Sequence, residues 1–321
     1  MIVRWDIEEL SGVLAELGIE RPLLVASPRW DAPVEVAGTW SEVPSKRIQD
    51  AATTAAATAA DGLLALGGGS AIDLAKAISV ETGLPLVSVP TTYSGAEWTP
   101  SFGIRDHEKV MKGGGSGANL AGIVYEPKLT LDLPRAETVG TSLNALAHTA
   151  EALYVKGRNA EGDREALAGA ALISEWLPKV VGDGHDLEAR RKLLEGAMHG
   201  GAALAAAGLG LGHAMAQALG GRYGLPHGAM NAIVLPPALR FNEPVVGDEV
   251  ARFGEAMGTN DPVGRVEELA RLGGFERLRA FGVPEVELEG VARAVGVRPG
   301  ARANPRPATP AAIAELLSSV W

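Results

Sequence analysis

The chain has 321 residues, of which 46% are hydrophobic and 21% charged, a composition that excludes extensive disorder. Its net charge of −10, from 29 basic and 39 acidic side chains, argues against a nucleic-acid partner but leaves room for a small anionic substrate. Cysteine is absent, which excludes disulfides, thiolate metal ligands and a thiol nucleophile.

The first third of the chain alternates between strand-like and helix-like segments. Apolar residues at helical spacing predict helices over 6–17, 47–60 and 71–80. Short apolar runs predict strands over 22–26, 34–40, 62–66 and 84–89. Such alternation favours a parallel sheet with right-handed crossovers.

From about Arg135 the pattern becomes helical and rich in alanine and leucine. Helices are predicted over 135–155, 163–182, 187–207, 211–220 and 228–240. The sequence therefore predicts an α/β N-terminal nucleotide-binding domain over 1–133 and an all-α C-terminal domain over 134–321. The small residues of 200–212 indicate close helix packing, either around a buried site or in an ordinary core.

A glycine-rich turn lies in the segment LLALGGGSAIDLAKAI, residues 63–78. A predicted strand ends at Leu66, Gly67 to Gly69 form a tight turn, and a helix begins at Ser70. Glycine allows backbone N–H groups to approach a phosphate closely, and a helix N-terminus adds partial positive charge. The turn therefore favours a phosphate site, with a plain strand-to-helix connection as the alternative.

Two further loops are polar or glycine-rich. PTTYSGAEWTP, residues 90–100, follows a predicted strand directly, at the edge where open α/β sheets bind ligands. Its hydroxyl groups either bind ribose, phosphate or substrate, or make ordinary loop hydrogen bonds. GGGSGAN, residues 113–119, is predicted to be a flexible surface loop, with a mobile lid as the alternative.

Several motifs together resemble the iron-containing alcohol dehydrogenase superfamily, and within it the maleylacetate reductases. They are ALGGGSAIDLAKAI, ETGLPLVSVPTTYSGAEWTP, VYEPKLTLDLP, TSLNALAHTAEALY, LGGRYGLPHG, VLPPALRFN and NPRP. The resemblance implies a dehydroquinate-synthase-like fold with the active site in the cleft between the domains, and hydride transfer with NADH or NADPH. The candidate cofactor-binding residues are Gly67, Gly68, Gly69, Ser70, Asp73, Thr91, Thr92, Ser94 and Ser27.

The N-terminal part departs from the family pattern. The opening strand is shortened to IVRW, and prolines replace helical spacing after VASPRW. Ser27 stands where NAD-preferring relatives carry an aspartate, so nothing there selects a free 2′-hydroxyl. Arg29 is either a partner for a 2′-phosphate or a solvated surface arginine, and the choice between NADH and NADPH stays open.

The resemblance also identifies the positions that hold a metal in metal-dependent relatives. They correspond to Asn144, His148, Gln217 and His227. Amides are poor ligands for Fe²⁺ or Zn²⁺, so no catalytic metal is expected. Maleylacetate reductases, as the resemblance implies, work without metal and often carry asparagine at the position of Asn144.

The expected reaction is reduction of the activated C=C bond of maleylacetate, to 3-oxoadipate, or of a related unsaturated oxo-acid. It needs a donor for the developing enolate and an acid that protonates carbon. The catalytic candidates are His148, His213 and His227, with His213 or His148 as the acid. The substrate-binding candidates are Asn144, Gln217, Asn231, Tyr93, Arg222 and Lys112. His107, His185 and His199 are predicted to be structural or exposed.

Two alternatives to this function remain. One is an alcohol dehydrogenase or carbonyl reductase of the same family that acts on another substrate, with or without a weakly held metal. The other is a non-catalytic nucleotide-binding relative; the loss of ligand-position histidines favours it, and the retained GGGS, PTT and LPHG oppose it. Gly212 and Asn231, which replace histidines usual in the reductases, leave the substrate open. A homodimer is expected, without nucleic-acid or membrane partners; the N-terminus lacks an apolar signal core, which predicts a cytoplasmic location.

Overall fold

The computed structural model describes residues 1–106 and 111–321, and for residues 105, 106 and 111–113 it describes the backbone alone. His107 and the side chain of Lys112, both singled out above, lie outside the described residues. The chain separates into two compact units. The first contains Met1–Thr92 and Ala96–Asp132, and the second contains Tyr93–Gly95 and Leu133–Trp321.

The first unit is built on a six-stranded sheet in which the neighbouring strands are parallel. In chain order its strands are β1 (Ile2–Trp5), β2 (Pro22–Ala26), β3 (Gly38–Trp40), β4 (Gly62–Gly67), β5 (Leu86–Pro90) and β8 (Leu120–Tyr125). Their order across the sheet is β1-β8-β5-β4-β2-β3. The helices of this unit are α1 (Leu10–Glu16), α2 (Ile48–Ala57) and α3 (Gly69–Thr82).

Both faces of this sheet are buried, which explains the continuous apolar runs of its strands. Alternate residues of each strand point to opposite faces. Leu24 and Leu64 lie in the core cluster that includes the apolar face of α1. Leu23 and Leu63 lie in the cluster that includes α2 and α3. The two clusters together hold the sheet between its helices.

A separate two-stranded hairpin lies between β5 and β8 along the chain. Its strands, β6 (Phe102–Asp106) and β7 (Met111–Gly115), pair antiparallel. The prediction of a flexible loop over 113–119 is therefore wrong for residues 113–115. Gly115 pairs with Phe102 and packs closely against its ring. A Cβ on Gly115 would lie 2.6 Å from that ring. A glycine strand thus lies against an aromatic side chain that compensates for its missing side chains.

The second unit consists of helices. They are α4 (Arg135–Ala152), α5 (Ala160–Gly182), α6 (Leu187–Ala207), α7 (Leu211–Tyr223), α8 (His227–Ala256), α9 (Pro262–Arg271), α10 (Leu288–Gly296), α11 (Pro299–Ala303) and α12 (Pro310–Ser319). α4 is buried along most of its length and packs against α5, α6 and α8. α8 extends well beyond the predicted 228–240, with a break in its helical geometry at Val246.

Small residues permit the close approach of these helices. A Cβ on Gly200 of α6 would lie 2.8 Å from the carbonyl oxygen of Ala145 on α4. The close packing predicted for 200–212 is therefore present. Across residues 1–106 and 111–321, no single helix is long and apolar enough to cross a bilayer; α6 and α7 pass such a test only as a pair, with a bend of 104° between them.

The structure confirms the predicted fold class, a parallel α/β sheet followed by a helical region. The region between β2 and β3 contains no helix, in keeping with the reduced N-terminal pattern. The predicted strand over 34–40 shrinks to three residues. The predicted helix over 6–17 is a 3₁₀ turn followed by α1, and Asp6, with a positive φ of 76°, lies outside both.

Candidate functional site

The glycine-rich turn of the first unit joins β4 to α3. β4 ends at Gly67, whose φ of +153° is a conformation that glycine alone adopts readily. Gly68 precedes α3, and a Cβ on it would lie 2.7 Å from the Thr92 side chain. No side chain caps α3 at this end, so its first backbone N–H groups remain open to a ligand. The turn has the geometry of an anion site.

The other predicted cofactor residues have individual roles in the fold. Asp73 accepts a hydrogen bond from the Gly103 N–H and lies 3.5 Å from Lys76. Thr91 is fully buried, and its Oγ1 has no partner within the described part of the chain. Ser70 is exposed, and Ser27 accepts the Trp30 N–H through its carbonyl. Ser94 belongs to the second unit, where its carbonyl accepts from Asn144.

Three histidines come together in the second unit. His148 is on α4, His213 is on α7, and His227 is the first residue of α8. The rings of His148 and His213 stack with centroids 4.6 Å apart, and His227 lies 5.9 Å from His213. His148 and His213 are almost fully buried. The structure therefore gathers all three predicted catalytic candidates into one cluster, called the histidine cluster below.

Glu151 anchors this cluster, and sequence reasoning missed it. The Nδ1–H of His213 donates to its Oε2 at 2.7 Å. The backbone N–H groups of Gly210 and His213 donate to the same carboxylate at 2.6 and 3.2 Å. The carboxylate is fully buried, and the N-terminal end of α7 stabilises its charge. One signal was available, because Glu151 lies three residues after His148 and so shares its helix face.

Gly212 provides the space for Glu151. A Cβ on Gly212 would lie 2.9 Å from Glu151 Oε1, and one on Gly210 would lie 2.9 Å from its Cδ. Any larger residue at either position would displace a carboxylate that three hydrogen bonds hold in place. The glycine that replaces a histidine of the resembling reductases is therefore part of how this chain positions His213.

Two asparagines connect the cluster to the backbone. Asn144 Nδ2 donates to the Ser94 carbonyl at 2.9 Å, and its Oδ1 accepts from Asn231 Nδ2 at 2.6 Å. Asn231 Nδ2 also lies 3.2 Å from His227 Nε2. An aspartate at 144 would lose the donor to Ser94 and place two oxygens against each other. The network therefore favours the amide over the carboxylate of metal-dependent relatives.

Three buried polar atoms of the cluster have no hydrogen-bond partner among the described residues. They are His148 Nδ1, His213 Nε2 and Asn231 Oδ1. Buried polar atoms in folded proteins are almost always satisfied, so such a group of exceptions indicates a candidate site for a polar ligand. A carbonyl or carboxylate oxygen suits whichever of the two ring nitrogens carries a hydrogen.

The remaining candidates lie in other surroundings. Tyr93 is fully buried, and its hydroxyl accepts from Arg190 at 3.1 Å. Arg222 is exposed and forms an ion pair with Glu287 at 2.7 Å. Gln217 lies one turn after His213 on α7, and its Oε1 accepts from Arg298 at 3.4 Å. Outside the cluster, His185 is exposed and His199 pairs with Glu165 at 2.7 Å.

The donor set at the family's metal position does not suit a divalent cation. Asn144 Oδ1 is engaged by Asn231, and Gln217 Oε1 is engaged by a guanidinium, which would repel a metal ion. Within the described residues, no three His, Cys, Asp or Glu side chains come together as a metal site. The side chains present here therefore do not fit the metal that the family name implies.

Burial controls the charge of His148. Desolvation, with smaller contributions from His213 and His227, holds the pKa of its imidazole well below the usual 6.5. His148 is consequently neutral at pH 7. Asn144 Nδ2 lies 3.4 Å from its Nε2, and an amide nitrogen can only donate. The ring hydrogen of His148 therefore sits on Nδ1.

Two family models match most of the chain. The iron-containing alcohol dehydrogenase model matches residues 4–121, and the C-terminal model of the Fe-containing alcohol dehydrogenase family matches residues 138–321. The chain is 33% identical to the maleylacetate reductase of Pseudomonas sp. (strain P51), over 98% of this chain and 93% of that protein.

Solved structures are also similar to this chain over its whole length. The maleylacetate reductase of Rhizobium sp. strain MTP-10005 is 30% identical and superposes with a TM-score of 0.89, over 100% of this chain and 95% of that one. A putative alcohol dehydrogenase from Ralstonia eutropha JMP134 is 32% identical, with a TM-score of 0.93 over 100% of this chain and 95% of that one.

The depressed pKa of His148 predicts a pH dependence of stability. Below about pH 6.5 the unfolded chain binds a proton at this residue and the folded chain does not. Stability should therefore fall as the pH drops from 6.5, by up to about 1.4 kcal/mol per pH unit from His148 alone. Urea unfolding of the wild type and of H148N between pH 5 and 7.5 measures this. If the free energy of unfolding changed with pH in the same way in both proteins, the lowered pKa of His148 would be contradicted.

The Glu151 carboxylate predicts a stability cost for an isosteric amide. In E151Q the amide NH₂ faces N–H donors, so at least one buried donor loses its acceptor. We expect the free energy of unfolding to fall by about 1–3 kcal/mol. The matched control is E165Q, which alters the partly exposed His199–Glu165 pair and should cost less than about 1 kcal/mol. Equal costs for the two variants would show that Glu151 has no special anchoring role.

Proposed function

The chain belongs to the iron-containing alcohol dehydrogenase family, and from this premise we propose that this NAD(P)H-dependent reductase acts without a metal on maleylacetate or a related unsaturated oxo-acid. The observation that carries the proposal is the buried Glu151–His213 pair, with His213 Nε2 free of protein partners among the described residues. This pair supplies a positioned proton where metal-dependent relatives use a cation.

The glycine-rich turn fits the cofactor. Gly67 and Gly68 leave no room for a Cβ, and α3 presents uncapped N–H groups beside them. These residues would hold the pyrophosphate through backbone N–H groups, with Thr91 and Thr92 beside the turn. When bound, NAD(P)H supplies the hydride that adds to the alkene carbon β to the substrate ketone. The sequence leaves the preference between NADH and NADPH open.

His148 has the properties of a donor to the substrate carbonyl. Hydride addition to the conjugated alkene places negative charge on the ketone oxygen, which becomes an enolate. A neutral imidazole with its hydrogen on Nδ1 donates to that oxygen without giving up its proton. The buried Nδ1 of His148, which lacks a protein partner among the described residues, matches this role.

His213 has the properties of the acid. Its Nδ1–H is fixed on Glu151, so Nε2, on the opposite side of the ring, is the nitrogen that would carry the transferable proton when the ring is an imidazolium. The Glu151 carboxylate stabilises the imidazolium from which that proton leaves. Transfer of the proton to the α-carbon of the enolate completes the addition of two hydrogens across the C=C bond, and His213 then recovers a proton from solvent.

The same side chains support the proposal of metal independence. Asn144 takes part in the amide network, and Gln217 contacts Arg298, so neither is available to a cation. The enolate charge is met by hydrogen-bond donors. The homodimer, the cytoplasmic location and the absence of nucleic-acid or membrane partners remain predictions from the sequence.

Steady-state oxidation of NADH and NADPH with maleylacetate tests the proposal. The wild type should turn over and yield 3-oxoadipate. H213N should reduce kcat by about 10²–10⁴-fold, because it removes the proton donor. The dissociation constant for the cofactor, measured by fluorescence, should stay unchanged.

H199N is the matched control for this experiment. His199 also pairs with a glutamate through Nδ1 at 2.7 Å, but it lies outside the histidine cluster. Its replacement should leave kcat unaltered. Absence of maleylacetate turnover in the wild type, or an H213N variant within a few-fold of the wild type, would refute the proposed function.

A further inference from the structure

A second charged residue contacts the helix that carries His213. Arg298 lies immediately before α11, and α11 packs against α7. A Cβ on Gly300 of α11 would lie 3.4 Å from Ala214 Cβ, which measures how close the two helices are. The Nη1 of Arg298 donates to Gln217 Oε1, one turn after His213 on the same face of α7.

Arg298 lacks the kind of ionic partner that some other arginines of this unit have. Arg222 pairs with Glu287, and Arg293 pairs with Glu289. Among the described residues, no carboxylate lies within 4.0 Å of the Arg298 guanidinium. Its Nε is buried and has no hydrogen-bond partner in that part of the chain. Burial lowers the pKa of the Arg298 side chain, with no counter-charge to offset it.

A partly buried cation without a counter-ion has an unfavourable desolvation free energy, which an anion bound beside it would offset. A guanidinium presents several donors in a rigid fork that matches a carboxylate in bidentate geometry. The neutral amide of Gln217 contacts this cation without neutralising it. A glutamate at 217 would neutralise the charge of Arg298, and a protonated histidine there would repel the guanidinium.

We propose that Arg298, oriented by Gln217, binds a carboxylate of the substrate and so restricts this enzyme to substrates that carry one. This assignment rests on the proposed function, because it places an acidic substrate at the histidine cluster. It also explains the glutamine at a position where the resembling reductases keep histidine. It replaces Arg222, which already pairs with Glu287, as the cation expected to meet the substrate.

Calorimetric binding of adipate and of its neutral analogue adipamide tests the assignment without turnover. Wild-type protein should bind adipate, and R298Q should weaken that binding by about 10- to 100-fold. R298K keeps the charge but loses the fork, so it should recover only part of the affinity. Adipamide should show no difference among the three proteins. R293Q, a control on exposed Arg293 five residues earlier, should bind adipate as the wild type does.

Kinetics with maleylacetate separate this inference from the proposed function. R298Q should raise KM by about 10- to 100-fold and alter kcat less, because binding is lost rather than proton transfer. A wild type that binds adipate in an Arg298-dependent way but reduces no maleylacetate would support the inference and refute the proposed function. Turnover with an unchanged KM in both R298Q and R298K, or no adipate binding by the wild type, would overturn the inference.

Discussion

The arrangement of the site depends on one buried carboxylate, that of Glu151. It accepts two backbone N–H groups at the start of α7 and the Nδ1–H of His213, so it fixes a helix end and an imidazole together. A buried charge survives because these donors and the helix dipole compensate its desolvation. The glycines at 210 and 212 leave it the required space. Without this anchor, the orientation of His213 would lose its support.

The departures from the metal-dependent pattern form one consistent set. An amide at 144 donates to a backbone carbonyl, which a carboxylate could not do. An amide at 217 contacts a guanidinium, whose positive charge would repel a metal ion. Burial keeps His148 neutral, and Glu151 orients the ring of His213. In our proposal, separately placed hydrogen-bond donors, an acid and an arginine take the place of one cation, on the frame that the relatives share.

The sequence predicted the elements whose patterns are local. The strand over 22–26 and the helix over 187–207 match the structure residue for residue, because apolar runs and helical spacing are local signals. The glycines of 113–115 misled the prediction, since their strand pairing depends on Phe102 across the hairpin. Glu151 and Arg298 were missed for a similar reason. Their partners, His213 and Gln217, lie 62 and 81 residues away along the chain. The position of Glu151 on the same helix face as His148 was a local signal, but it does not identify His213 as the partner.

The most direct test of this account is the turnover of maleylacetate by protein stripped with a chelator, with metal content measured on the same sample. We expect full activity at a metal content far below one ion per chain, and no stimulation when Zn²⁺ or Fe²⁺ is added. We further expect that the pH profile of kcat changes in E151Q, because the acid has lost its carboxylate. Activity that disappears with the metal and returns with Zn²⁺ or Fe²⁺ would contradict the central claim that side chains alone supply the acid and the charge.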